Sequence, residues 1–157
     1  MEHLRTDRRS IFRAAMAMML TLAAPVARAA EPAQLPDKPF AEHRLVLQLS
    51  DKDSKKQALV ISVAYNLLKL YDPDKVAIEV VAFGPGIELL FPDNPNRKLI
   101  ESLVAQGVRF DICLNTVDTI ERETGKRPQY IPAATPVQVG VGRILSLTEN
   151  GYTLVRP

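Results

Sequence analysis

Three near-continuous apolar runs, Arg44–Ser50, Val76–Phe83 and Val108–Leu114, constrain this chain more than any other feature. A run without polar alternation is the pattern of a strand covered on both faces. The segments between the runs read as helices. Ser50–Ser54 supplies capping side chains. Lys55–Tyr71 then carries Val60, Val63, Ala64, Leu67 and Leu68 as a helical stripe, which Asp72-Pro73-Asp74 stops. Asn94-Pro95 suits an N-cap and first helical position, Leu99, Ile100, Leu103 and Val104 form the inward stripe, and Gly107 ends it. Ile87–Phe91 is a short apolar piece of no assigned type.

After the third run, Asn115 or Thr116 is expected to cap a helix through Glu123, followed by a polar loop over Gly125–Pro132. Thr135-Pro136 reads as a further helix start leading into Val137, Val141, Ile144, Leu145 and Thr148. Val137, Val139 and Val141 also alternate as a strand would; the later spacing and Gly151 as a stop favour the helix. Tyr152–Val155 is a last short strand. Two-sided apolar strands alternating with amphipathic helices predict an α/β fold with a doubly wound, mostly parallel sheet of about five strands.

The first thirty residues read as an address. Arg8-Arg9-Ser10-Ile11-Phe12-Arg13 precedes an apolar run over Ala14–Val26, and Ala27-Arg28-Ala29 offers the small residues of a signal-peptidase site. Cleavage after Ala29 or Ala30 is expected, with delivery to the periplasm. The run is too short to span a bilayer comfortably and holds Pro25, so no stable membrane anchor is expected. Arg8-Arg9 fits both a twin-arginine signal and the basic start of a general secretory signal. Residues 31–42, with Pro32, Pro36 and Pro39, read as an extended lead-in, and residues 43–157 as one domain.

Charge narrows the function classes. Up to Ala29 there are five arginines against Glu2 and Asp7; the remainder holds 15 basic and 16 acidic residues. A near-neutral body lacks the electrostatic footprint of a nucleic-acid binder. No Cys/His cluster suggests a metal site.

Chemistry is expected at one edge. In doubly wound sheets ligands bind beyond the carboxyl ends of the strands. Ser50-Asp51-Lys52, Gly84-Pro85-Gly86 and Cys113-Leu114-Asn115-Thr116 are the segments that topology brings there. Cys113 is the only cysteine and falls beside a helix start, where the partial positive charge favours a thiolate. Such a thiolate can attack sulfur or carry it as a persulfide; the plain alternative is a small buried hydrophobe. A single thiol cannot close an internal disulfide, so after export Cys113 is buried, paired with another molecule, or reactive. Asp51 is a candidate to orient a ligand and equally a loop and cap residue. Gly84 and Gly86 can offer backbone N–H groups to an anion, or simply turn the chain. Asn115 and Thr116 complete the candidate binding set, and Lys52 and Arg143 are candidate anion contacts. No histidine stands where it could activate Cys113: His3 lies in the address segment and His43 precedes the first strand. No cofactor is expected, because the glycine turn lacks the further glycine of a dinucleotide fingerprint and no phosphate-cradling loop follows the first run.

Taken as a spaced set, Val81–Gly86, Gly107–Cys113 with Asn115-Thr116, Gly151-Tyr152 before Arg156-Pro157, and the Ser50-Asp51 end of the first run resemble the DsrE/DsrF-like family. The resemblance covers Arg44 to Pro157. It implies a three-layer α/β/α sandwich, homo-oligomers (trimers or hexamers), and relay of sulfur by a strand-end cysteine, which maps onto Cys113 alone. A sulfur donor or acceptor protein is the partner it suggests. The sulfur-relay members are cytoplasmic, and the export signal here is a departure. The competing expectation is a non-catalytic oligomeric module that binds a small anion or a protein and keeps Cys113 in its core.

Overall fold

The computed structural model describes residues 38–157, so the expected export signal and the first part of the lead-in lie outside the described residues. Five strands form one parallel sheet: β1 (His43–Leu49), β2 (Val76–Ala82), β3 (Arg109–Cys113), β4 (Ala134–Val137) and β5 (Thr153–Val155), in the order β4-β3-β2-β1-β5. Four α-helices alternate with them: α1 (Ser54–Tyr71), α2 (Arg97–Ala105), α3 (Leu114–Thr124) and α4 (Gly140–Glu149). The crossovers from β1 to β4 all step the same way across the sheet, whereas the crossover through α4 returns past β1 to β5. With right-handed connections, that reversal sends α4 to the opposite face from α1, α2 and α3. The result is a three-layer α/β/α sandwich. Among the described residues, no helix is long and apolar enough to cross a membrane.

The local signals act where the sequence puts them. Asp53 caps α1, its side chain accepting from the N–H groups of Lys55 (2.9 Å) and Lys56 (3.0 Å). Helix α1 ends at Asp72, and α2 ends just before Gly107. Every residue of β2 and β3 is buried, as the unbroken apolar runs require. Alternation then sorts them: Ile78, Val80, Phe110 and Ile112 join Leu47, Ile87 and Val117 in the main core under α1–α3, while Val46 and Val81 meet Ile144 and Leu147 of α4.

Three expectations are corrected. Thr135-Pro136 does not start a helix; it lies in β4, and the helix begins at Gly140. Strand β4 pairs on one side only, with Pro136 opposite Ile112, and an edge strand tolerates the missing proline donor. The N-cap of α2 is Asn96 rather than Asn94, whose side-chain Oδ1 accepts from the Asn96 N–H at 2.9 Å and forms a turn ahead of the helix. Helix α3 is capped neither by Asn115 nor by Thr116: Cys113 itself stands at the N-cap position, without a side-chain capping bond, because strand hands over to helix with no intervening loop. The unassigned piece after β2 is a 3₁₀ helix over Gly84–Leu90 that buries Ile87, Leu89 and Leu90. The end of the lead-in is fastened to the domain. The ammonium of Lys38 donates to the carbonyls of Pro73 (2.6 Å) and Val76 (3.1 Å), and Glu42 N–H to that of Lys75 (2.8 Å).

Candidate functional site

At the carboxyl edge of the sheet the expected segments meet, and they do so by bonding to one another. Gly86 is where β1 and the 3₁₀ helix touch: a Cβ there would fall 2.3 Å from the Leu49 carbonyl oxygen, so only glycine permits that approach. The Gly84 N–H donates to Thr116 Oγ1 at 2.9 Å, joining the end of β2 to α3. The Asn115 N–H donates to the Gln138 carbonyl at 3.2 Å, and Gln138 Nε2 donates to Asn115 Oδ1 at 3.0 Å, joining α3 to the segment after β4. Asp51 ion-pairs with Lys56 at 2.6 Å on the half-exposed rim, and Lys52 is exposed beside it. The Gly84 N–H, the Asn115 N–H and Oδ1 and the Thr116 Oγ1 are thus engaged within the protein.

Cys113 closes this edge. It is 5% exposed, and its sulfur lies under the start of α4: the Gly140 N–H donates to Sγ at 3.3 Å, and Sγ lies 3.9 Å from the Gln138 carbonyl. A Cβ on Gly140 would stand 3.0 Å from Phe83 Cβ and 3.2 Å from Cys113 Cβ, so that helix start comes close because residue 140 is glycine. The helix N-terminus that addresses the sulfur is therefore that of α4, while α3 begins from the cysteine's own backbone. An N–H at the first turn of a helix is suited to hold negative charge on sulfur. The carbonyl contact equally suits a neutral thiol as donor.

A second polar constellation lies on the same face of the sheet, nearer the amino ends of the strands. Glu79 of β2, Arg109 and Asp111 of β3, and Arg143 of α4 form a cluster under α4. Arg109 Nε donates to Asp111 Oδ1 at 2.7 Å; Arg143 donates through Nε to Glu79 Oε1 and through Nη2 to Oε2 at 3.0 Å. Arg109 and Arg143 also lie within ion-pair reach of the other carboxylate, at 3.8 Å and 3.4 Å. Asp111 is fully buried, and its Oδ2 is the one buried side-chain nitrogen or oxygen among the described residues with no hydrogen-bond partner. Burial, and then the neighbouring Glu79 carboxylate, push Asp111 up to about 8 against the pull of Arg109. Glu79 goes the other way. Burial opposes its ionisation, yet the neighbouring Asp111, the bonds from Arg143 and the charges of both arginines hold it below the usual glutamate range. Of the two carboxyl groups, Asp111 is therefore the one that favours its protonated form at neutral pH. A cavity of about 840 Å³ runs beside the cluster between α4 and the starts of β1, β2 and β3.

The cluster was visible in the sequence only as isolated charges inside apolar runs. Arg109 and Asp111 are two apart and so share a face, and the sheet register sets Glu79 beside Arg109. Arg143, expected as an anion contact, finds its anions within the protein. Among the described residues, no group of His, Cys, Asp and Glu side chains is arranged to hold a metal ion.

A three-layer sandwich around a five-stranded parallel sheet of order 4-3-2-1-5, with a thiol at the carboxyl edge and a charged cluster under a lone helix, defines the class. No family model matches the chain, and neither does any curated protein. Among solved structures it is similar to the protein of unknown function MTH1491 from Methanobacterium thermoautotrophicum. The two share 31% identity with a TM-score of 0.66 over 74% of this chain and 100% of that one. The chain belongs to the same family as MTH1491.

Proposed function

We propose that this is an exported, DsrE-like, homo-oligomeric protein that accepts sulfane sulfur on Cys113 and passes it to an acceptor. The observation that carries the reading is the Gly140 N–H directed at Cys113 Sγ at 3.3 Å from the first turn of α4. It adds a donor for a sulfur anion to the strand-end position that the family resemblance assigns to the relay cysteine. In the transfer, the Cys113 thiolate attacks the outer sulfur of a donor persulfide, R–S–SH. One S–S bond forms, the donor's S–S bond breaks, and R–S⁻ leaves; Cys113 becomes a persulfide with no outside oxidant. Delivery to the acceptor thiolate repeats the exchange in the other direction. Export rests on the Arg8–Ala29 pattern. Assembly into trimers or hexamers draws support from Val139, Val141 and Leu145, an exposed apolar stripe at the start and along the outer side of α4.

Burial of Cys113 favours a second reading, a binding module whose cysteine is part of the core. Mass spectrometry of the folded protein after exposure to polysulfide separates the two. The relay predicts a mass gain of one sulfur atom that is reversed by a thiol acceptor and missing in Cys113→Ala. An unmodified Cys113 under every sulfane donor, in a protein that alkylating reagents also fail to label until it is unfolded, leaves the binding module.

A further inference from the structure

The cavity along α4 lies at the amino ends of the strands, away from Cys113, and is independent of the sulfur reading. Its charged lining is Lys38, Arg44, Asp74, Glu79, Arg109 and Arg143. Four of these are basic and two acidic. The guanidinium donors are only partly used. Arg109 commits Nε to Asp111, and neither of its Nη groups makes a hydrogen bond with a described residue; Arg143 commits Nε and Nη2 to Glu79 and leaves Nη1. Among the described residues Asp111 Oδ2 is the only fully buried side-chain nitrogen or oxygen without a partner, so these Nη groups are not fully buried, and both residues line the cavity. Arg143, whose side chain is 30% exposed, stands at the mouth; Arg109, at 9%, forms the floor.

The charge on that floor is set by a proton. With all four groups ionised the cluster is neutral. With Asp111 protonated, two guanidinium charges face one carboxylate, and the floor is positive by one. We propose that this cavity is a binding site for a small oxyanion or carboxylate, seated on the spare guanidinium donors of Arg109 and Arg143. Binding is tightest while Asp111 carries its proton. Guanidinium groups suit such a ligand because their forked donors match paired anionic oxygens. The groups facing Asp111 are Glu79 from β2, Arg109 from its own strand and Arg143 from α4; β4 sets the non-titrating Thr135 beside it. Lys38, Arg44 and Asp74 complete the charged surroundings of the cavity. The proton on Asp111, with a pKa raised to about 8, is present at neutral pH and lost in mild alkali.

Isothermal titration calorimetry on the full chain tests this with sodium sulfate, whose charge is constant from pH 7 to pH 9. Sodium succinate is the carboxylate arm, and sodium chloride keeps the ionic strength equal throughout. Saturable binding of at least one of the two anions is expected at pH 7, weakening ~tenfold by pH 9 as Asp111 ionises. Arg143→Gln, which keeps a donor for Glu79, is expected to abolish binding at both pH values. Asp111→Asn, a neutral stand-in for the protonated acid, is expected to bind at pH 9 as tightly as at pH 7. No saturable heat from either anion at pH 7 overturns the proposal. So does wild-type affinity that is equal at the two pH values, or affinity that survives Arg143→Gln.

Discussion

On one face of the sheet, Leu47, Ile78, Val80, Phe110 and Ile112 pack under three helices in a cluster made only of apolar side chains. On the other face, residues adjacent to these in the same strands, Glu79, Arg109 and Asp111, lie under the single helix α4 with a small apolar patch of Val46, Val81, Ile144 and Leu147. The first face is built for stability: removing apolar surface from water contributes about 25 cal/mol per Å², and close packing adds to it. The second sets the cost of desolvating charges against their mutual attraction, and such networks return little net stability. Three buried charges, Glu79, Arg109 and Asp111, sit under one helix beside the partly exposed Arg143, which keeps polar chemistry near solvent on that side. Cys113 and the Glu79–Asp111 pair both belong to that thinner layer.

The contrast can be broken by substitution. Phe110→Ala, on the apolar face, is expected to lose about 3–5 kcal/mol in denaturant unfolding. A loss near 1 kcal/mol would mean that the main core is looser than its burial indicates. One residue further along the strand, Asp111→Asn should behave in the opposite sense. The folded-state pKa of Asp111 is raised from 3.8 to about 8, so in that window the folded protein holds a proton that the unfolded chain has released. Its contribution is complete below the lower value and is lost as pH rises through the upper one. Relative to wild type, Asp111→Asn is therefore expected to gain at most about 1.4 kcal/mol per pH unit across the window, read from unfolding curves at several pH values. Parallel pH profiles for the two proteins would show that Asp111 does not hold the proton. The smallest effect belongs to the outside of α4. Leu145, 58% exposed, should tolerate Leu145→Gln within about 0.5 kcal/mol in the monomer. A clear fall in oligomer mass by sedimentation, with monomer stability kept, would place the stripe in an interface between copies.

How legible each part was follows from the range of the interaction that made it. Strands β2 and β3 could be read because complete burial writes an unbroken apolar run into the chain. The 3₁₀ helix over Gly84–Leu90 could not, since a short apolar segment fits several backbone states. Thr135-Pro136 misled because a local start signal was stronger than the short edge strand it sits in, whose identity depends on pairing with β3. The two glycines of the turn read as N–H donors for an anion or, more simply, as a place where the chain turns. Gly86 makes room for the backbone of β1, 37 positions earlier at Leu49, and no local pattern reveals that partner.

Period and punctuation in the sequence alone determined a parallel α/β sheet and set the thiol at its carboxyl edge, because both follow from burial and turn chemistry within a few residues. Only the tertiary structure decided what meets that thiol. The N–H of Gly140 reaches Cys113 across 27 residues, through a helix that changes face after β4. It alone likewise gathered Glu79, Arg109, Asp111 and Arg143, since strand register and helix docking, rather than any local preference, set which charges meet.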